Sequence, residues 1–345
     1  MLIKNKRELR LPFVFPHPIF TWMTGYTEHA DLEFLRIIMI DKHAPPVFKN
    51  QFYFPRYWPT WLFLFLFRAV ALLPIRVNFW IGRFLGLLFF HLAPSRRHIA
   101  KINIQICFPE LTKKEQDSIV SGVLRSCGIG FMETAMALWG QKDKFKDCHE
   151  FIGGEHLEAA AQGGKGVLLV GSHLTTMDVA GRILTQYFPI DTLYLKDKNP
   201  LMAFALTKAR NKFITNSIVR KDTRQLIRNL RKGHVVWYAA DQDYGIKHAV
   251  FAPFFGMSAA SLTATARIAS MGNALVLPFS HYRNESGFYK VEIGPPLDNY
   301  PVGDDLIDAT SINKMVEVMI RRAPDQYLWV HRRFKSRPEG EKKLY

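Results

Sequence analysis

The hydrophobic positions of the chain follow two patterns, and the change comes near Gly153. Before this residue the apolar positions form long stretches with helical spacing, and after it short apolar runs alternate with amphipathic segments. The second pattern is typical of an α/β fold in which a mostly parallel sheet is flanked by helices, with sites at the carboxyl ends of strands. It predicts, in chain order, helix Glu155–Gln162, strand Val167–Val170, helix Met177–Tyr187, strand Thr192–Leu195, helix Leu201–Lys212, helix Thr223–Lys232, strand His234–Ala239, helix Ala259–Ser270, strand Ala274–Phe279, strand Phe288–Ile293 and helix Ile312–Arg322.

Two apolar stretches precede the alternating part. The first runs from Trp61 to Leu73 and contains Arg68, and the second, residues 79–93, leads into a basic cluster at residues 95–98. Each is shorter than the roughly 20 residues that a helix needs to cross a bilayer. Aromatic residues at one end and arginines at the other predict apolar helices that anchor the chain in a membrane. The alternative is a helical subdomain packed on the core.

Two further helices are predicted between these stretches and Gly153, at Pro94–Ile106 and Thr112–Trp139. Thr112 followed by Glu115 is a capping-box signature for the second helix, and two glycines at positions 128 and 130 are potential breaks in it. Residues 1–50 are predicted to be an irregular extension with one short helix, Leu32–Ile40. The chain therefore divides into an extension (1–50), membrane-anchoring helices (51–93) and an α/β domain (94–345).

The first candidate catalytic residue is His173. This residue follows the apolar strand 166–171 in a polar turn, and Asp178 lies five residues later in the first turns of a predicted helix. Residues five apart on one helix point roughly 140° away from each other, so His173 must lie in the turn for the two side chains to meet. There Asp178 is predicted to orient one ring nitrogen while the other accepts a proton. A structural histidine that caps the turn is the alternative, and Thr175 or Thr176 is a candidate helix cap.

Further charged residues fall in the same part of the chain. Arg210 is a candidate fixed cation, with a solvated helix face as the alternative reading. Asp241 and Asp243 follow the apolar strand of VVWYAADQDYG and are predicted to lie at its carboxyl end. Two carboxylates one residue apart can also chelate a hard cation, as in a metal-dependent glycosyltransferase.

The charge of the chain limits the classes of partner that it is expected to bind. A net charge of +16 implies an anionic partner, which could be a nucleic acid, a membrane surface, an anionic lipid or an acidic protein. No RNA-binding motif or recognition helix is found, which argues against nucleic acid. The three cysteines are widely spaced, which favours a reducing, cytoplasmic setting. A cationic helix face is predicted to bind the anionic substrate through Arg220, Lys221, Arg224 and Arg228.

Several separated motifs resemble the late acyltransferases of lipid A biosynthesis, of the Kdo-dependent lauroyl and myristoyl transferase type. The resemblance covers about Phe54 to Tyr345, and the DQDYG form is closer to the lauroyl-type branch. It is carried by PRYWPTW (55–61), NIQICFPEL (103–111), SHLTTMD (172–178), RKD (220–222), VVWYAADQDYG (235–245) and YLWVHRRFKSRPEG (327–340).

The resemblance implies transfer of a fatty acyl group from acyl carrier protein to a hydroxyl on an acyl chain of a Kdo-bearing lipid A precursor. The family's catalytic His and acid fall on His173 and Asp178, and its downstream Arg and Asp fall on Arg210 and Asp241. His173 would be the general base and Asp178 its orienting acid, with no metal and no cofactor. The implied location is the bacterial inner membrane, with the catalytic domain facing the cytoplasm and an anionic glycolipid as acceptor.

Three alternatives to this function stay open. A glycerolipid acyltransferase shares the HxxxxD spacing, but no FPEGTR-like block follows the histidine at a suitable distance. A metal-dependent glycosyltransferase would use Asp241 and Asp243. A basic, non-catalytic module would bind the membrane without consuming a thioester.

Overall fold

The computed structural model describes residues 46–194 and 197–345, so the predicted helix Leu32–Ile40 lies outside the described residues. Its helices are α1 (Trp58–Leu72), α2 (Ile75–Leu92), α3 (Pro94–Cys107), α4 (Lys113–Trp139), α5 (Gly154–Gln162), α6 (Met177–Leu184), α7 (Pro200–Arg210), α8 (Thr223–Arg231), α9 (Ala264–Gly272) and α10 (Asp305–Arg322). Its strands are β1 (His149–Ile152), β2 (Gly166–Gly171), β3 (Ile190–Tyr194), β4 (Asn216–Val219), β5 (Val235–Ala239), β6 (Ala249–Phe254), β7 (Met257–Leu262), β8 (Ala274–Arg283) and β9 (Tyr289–Ile293).

Seven of these strands form one sheet in the order β1-β9-β8-β2-β5-β3-β4. Every neighbouring pair in it is parallel except β8 with β9, and β6 pairs with β7 as a separate antiparallel hairpin. The central strand β2 is buried along its whole length, as expected for a parallel strand covered on both faces. The prediction of an α/β fold with a mostly parallel sheet is therefore confirmed.

The main difference from the sequence-based elements lies at residues 257–272. The sequence pattern predicts a single helix there, Ala259–Ser270, but its first part is strand β7 and the helix begins at Ala264. Small Ala and Ser residues fit a helix or a strand. The turn of the β6–β7 hairpin places the first of them in a strand. That turn holds Phe255 and Gly256 in the left-handed region, with φ of 50° and 76°.

The long helix α4 is continuous and supports both α2 and the candidate site. Its capping box is present, with the Thr112 and Glu115 side chains each bonded to the other residue's backbone amide. Gly128 does not break the helix but lets it pack closely on α2, since a Cβ there would lie 2.2 Å from the Gly82 carbonyl oxygen. The first apolar helices thus pack one side against the α/β body.

A buried ion pair connects α4 to β8. The Arg283 guanidinium donates to the Glu133 carboxylate at 2.6 Å, and the Tyr289 hydroxyl donates to the same oxygen at 2.7 Å. The Arg283 backbone exchanges hydrogen bonds with the Gln326 side chain, at 2.9 and 2.6 Å. Burial alone lowers the pKa of Arg283, but the charge and hydrogen bond of Glu133 outweigh it and raise that pKa.

We expect Glu133→Gln to lower the free energy of unfolding by about 3 kcal/mol, because it leaves the buried Arg283 charge uncompensated. Urea unfolding in detergent, followed by circular dichroism, measures this change. The matched control is Asp117→Asn, which removes a carboxylate from the exposed pair that Asp117 forms with Lys101. Its effect is expected to stay below about 1 kcal/mol. Equal effects of the two substitutions would contradict a stabilising role for the buried pair.

Candidate active site

The register of two parallel strands brings His173 and Asp241 together. In the β2–β5 pair, Gly171 lies opposite Ala239 at the carboxyl ends of the strands. His173 and Asp241 each come two residues after that position, on adjacent loops. The prediction that His173 lies in a turn agrees with this placement, since α6 begins only at Met177.

Two hydrogen bonds hold the pair. His173 Nδ1 lies 2.6 Å from Asp241 Oδ1, and the His173 backbone amide donates to Asp241 Oδ2 at 2.9 Å. An ionised carboxylate can only accept, so Nδ1 carries the proton and Nε2 of the neutral ring has a free lone pair. The Asp241 side chain is fully buried, whereas the His173 side chain keeps 18% of its surface exposed. The arrangement is that of an oriented imidazole with one nitrogen available as a base.

Each member of the pair shifts the pKa of the other. Burial alone would lower the pKa of His173, but the charge and hydrogen bond of Asp241 outweigh it and raise this pKa. Burial alone would raise the pKa of Asp241, but the charge and hydrogen bonds of His173 lower it to about 2. The carboxylate therefore stays ionised and stabilises the imidazolium that forms when His173 accepts a proton.

The structure pairs His173 with Asp241 and not with Asp178, the acid predicted to orient it. Among the described residues, no ion pair or hydrogen bond joins His173 to Asp178; Asp178 Oδ2 lies 2.7 Å from the Thr134 hydroxyl. The first turn of α6 directs Asp178 towards α4, whereas the register of β2 and β5 places Asp241 next to the ring. Asp178 nevertheless lines the same cavity as His173.

The predicted helix cap also has a different partner. Thr176 is the N-cap residue of α6, but its side chain makes no capping bond. Its hydroxyl lies 2.9 Å from Nδ1 of His281, a buried histidine on β8. Burial lowers the pKa of His281 to about 3, so this ring stays neutral. The turn after His173 is thereby tied to the strand on the other side of β2.

A C-terminal segment fixes the backbone of the same turn. The Thr175 amide donates to the Gln326 carbonyl at 2.8 Å, and the Leu328 amide donates to the His173 carbonyl at 3.1 Å. Tyr327 forms the β-bridge between them with Leu174. Such pairing on both sides of His173 limits the freedom of its backbone.

A cavity of about 780 Å³ opens beside the pair. Its walls come from α6, β3, α7, β5 and α9 and are mostly apolar. The lining includes Met177, Leu184, Leu193, Leu206, Phe213, Ile214, Leu226, Trp237 and Ile268. This volume lies in the range of small-molecule sites, and its apolar walls suit a hydrocarbon chain with its reactive end at His173.

The predicted cations do not all reach this cavity. Arg210 and Arg220 line it, and the Arg220 guanidinium lies over the Tyr244 ring, 4.7 Å from the centroid. Lys221, Arg224 and Arg228 are exposed and lie outside the cavity lining. Their part in substrate binding stays a prediction.

The two carboxylates of the DQD motif have separate partners. Asp241 is bonded to His173, while Asp243 accepts from the Ser336 amide and hydroxyl, at 2.8 and 3.0 Å. Asp243 therefore ties the C-terminal segment to the end of β5. This division of roles does not fit a shared cation between the two carboxylates.

His281, Glu133 and Arg283 support the site but are not among the residues that the sequence predicts for it. The sequence signal for two of them is their position. His281 and Arg283 lie near the carboxyl end of an apolar strand, as His173 does. Without the strand order, nothing in the sequence places that end next to His173.

Comparison with known proteins identifies the family. Residues 46–336 match the family model described as bacterial lipid A biosynthesis acyltransferase. The chain is 37% identical over 302 residues to a lipid A biosynthesis lauroyltransferase of Escherichia coli strain K12, covering 87% of this chain and 99% of that protein. It is 33% identical over 300 residues to the palmitoleoyltransferase of the same strain, covering 86% and 98%, and 28% identical over 308 residues to the myristoyltransferase, covering 87% and 94%.

The match extends over the strand ends that carry His173 and Asp241, and the identity is higher to the lauroyltransferase than to the myristoyltransferase, as the DQDYG form predicts. This chain belongs to the bacterial lipid A biosynthesis acyltransferases.

Proposed function

We propose that the protein transfers a fatty acyl group from acyl carrier protein to a hydroxyl on an acyl chain of a Kdo-bearing lipid A precursor. The observation that carries this proposal is the apolar cavity beside the His173–Asp241 pair in a member of the lipid A acyltransferase family. A hydrocarbon chain fits its walls, and a base is available where the reactive carbonyl would lie.

In the proposed reaction, His173 Nε2 takes the proton of the acceptor hydroxyl as its oxygen attacks the thioester carbonyl carbon. Asp241 holds Nδ1 and stabilises the imidazolium. When the tetrahedral intermediate collapses, the carbon–sulfur bond breaks, an ester remains, and the imidazolium returns its proton to the leaving thiolate. The products are the acylated lipid and the free carrier thiol.

The start of α6 is suited to stabilise the oxyanion of that intermediate. The first backbone amides of a helix have no partner within it and carry partial positive charge. The turn that holds His173 leads directly into this end of α6. Preorganised donors of this kind act where negative charge develops in the transition state. Arg210 and Arg220, at the cavity wall, are available for the phosphate or carboxylate groups of the substrates.

The outer sides of α1 and α2 support location at a membrane. Large apolar side chains recur there at helical spacing and are exposed, whereas the opposite sides of both helices pack on the body. By length and composition, α2 is a candidate to cross a membrane, with 22% of its residues buried; among the described residues it is the single such helix. The exposed set is Trp58, Trp61, Leu62, Phe65, Leu66 and Leu72 on α1, and Val77, Trp80, Phe84, Leu87, Leu88, Phe89 and Leu92 on α2.

We place the protein at the bacterial inner membrane with its catalytic domain in the cytoplasm. An exposed apolar surface of this kind marks a membrane or protein contact. The net charge of +16 favours both an anionic glycolipid acceptor and an acidic carrier protein.

Mass spectrometry of the lipid product, made with a panel of acyl carrier protein thioesters, tests the function. We expect a mass gain of one acyl group on the Kdo-bearing acceptor, no effect of EDTA, and loss of the product with His173→Gln at unchanged circular dichroism. Acylation of a glycerolipid acceptor in place of the Kdo-bearing lipid would overturn the proposed substrate. Turnover retained by His173→Gln would overturn the role of the histidine.

Asp241→Asn is expected to lower the rate by about 10²-fold to 10⁴-fold and to move the pH profile. In the wild type the base form of His173 is lost as the pH falls through a pKa above its ordinary 6.5. Without the Asp241 charge, burial lowers that pKa, so the acidic inflection of the rate moves to lower pH.

Asp178→Asn is the matched control for this prediction. It removes a carboxylate that lines the same cavity but does not touch the imidazole. We expect it to leave the inflection of the pH–rate profile in place. A shift with Asp178→Asn and none with Asp241→Asn would show that the orienting acid is Asp178.

Gly181→Leu is expected to shift the donor preference towards shorter acyl chains. Gly181 lines the cavity, and a Cβ built there has no heavy atom within 4 Å, so a leucine side chain would occupy space left for the acyl group. Excluding two methylenes costs about 0.8 kcal/mol each, or about ten-fold in relative kcat/KM. Gly181→Ala is the control and should keep the wild-type preference; an unchanged preference in Gly181→Leu would exclude this wall from the acyl site.

A further inference from the structure

A second cavity, of about 340 Å³, lies between α1 and α7. Its walls are largely aromatic, with Trp61 from α1, Trp139 from the end of α4 and Phe204 from α7. Helix α7 separates it from the cavity that contains His173: Ala203 and Thr207 line that first cavity, whereas Phe204 lines the second. The two cavities are therefore distinct sites on opposite sides of one helix.

Three cations line the second cavity. Arg68 comes from α1, Lys208 from α7, and Lys212 from the turn that follows α7. The Lys208 ammonium lies 5.5 Å from the centroid of the Phe204 ring. In the part of the chain that the structure describes, none of the three is within 4.0 Å of a carboxylate. Concentrated positive charge on an apolar wall favours an anion with several oxygens, above all a phosphate.

The position of the cavity indicates what carries the phosphate. Trp61 and Arg68 of α1 line it, and the exposed side of the same helix bears Trp58, Leu62 and Phe65. An amphiphile with an anionic head and hydrocarbon chains would occupy both surfaces at once, with its head at the three cations and its chains against the apolar side of α1. Arg68, which interrupts the apolar sequence of α1, then has a partner at the level of the head group.

We propose that the cavity between α1 and α7 binds the phosphate of an anionic glycerophospholipid, whose acyl chains lie along the exposed apolar side of α1. This site does not depend on the acyl donor or acceptor proposed above. It makes the protein selective for anionic lipid around it, beyond the attraction of its overall charge.

The test is calorimetric titration of the full chain in a neutral detergent with dihexanoyl phosphatidic acid, dihexanoyl phosphatidylcholine and inorganic phosphate. We expect saturable binding of phosphatidic acid and none of the other two at the same concentrations. Lys208→Ala/Lys212→Ala should weaken that binding at least five-fold, and Arg68→Gln, on the opposite wall, at least three-fold. Inorganic phosphate that binds as tightly as the lipid would overturn a lipid site.

The matched control is Lys113→Ala/Lys114→Ala, which removes two exposed charges at the far end of α4. At a rise of 1.5 Å per residue, this 27-residue helix places them about 40 Å from Trp139. We expect the control to bind phosphatidic acid within two-fold of the wild type. Equal weakening by the two double substitutions would show a non-specific charge effect and overturn the site, as would unchanged binding in Lys208→Ala/Lys212→Ala.

Discussion

A buried carboxylate has to keep a charged or hydrogen-bonding partner, and in this protein that constraint acts on Asp241. Its side chain is fully buried, and the His173 ring and backbone amide supply its hydrogen bonds. An ionised carboxylate without them would be costly to keep in such a position. The parallel pairing of β2 and β5 sets the distance between the two loops, so the central sheet and the candidate catalytic pair depend on each other.

Much of the surrounding structure restrains the loop that carries His173. On one side Thr176 contacts the neutral His281 of β8, and on the other the segment around Tyr327 pairs with the backbone at Leu174. Below it, α4 provides the Glu133 ion pair and the Thr134 hydroxyl that holds Asp178. Helix α4 also packs against α2, so one helix connects the apolar outer surface to the site.

The sequence was sufficient for the fold class and for most of the sheet, because the alternation of short apolar runs with amphipathic segments is strong after Gly153. It also placed His173 in the turn and Asp241 at a strand end, since both follow apolar runs directly.

The sequence did not assign the partner of His173, because the five-residue spacing to Asp178 is visible in the sequence and the order of strands is not. Strand β5 lies next to β2 although β3 and β4 come between them in the chain. The sequence pattern does not predict strands β1, β4, β6 and β7, because β1 and β4 are only four residues long, β6 and β7 form a separate hairpin, and all four are set by tertiary pairing.

We infer that Asp241, and not Asp178, orients the imidazole of His173. Nitrogen-15 NMR of histidine-labelled protein reports directly on the tautomer and the pKa of that ring. We expect an Nδ1–H tautomer for neutral His173 and a pKa above 6.5, both kept in Asp178→Asn and lost in Asp241→Asn. A His173 ring whose tautomer and pKa change in Asp178→Asn but not in Asp241→Asn would contradict this inference.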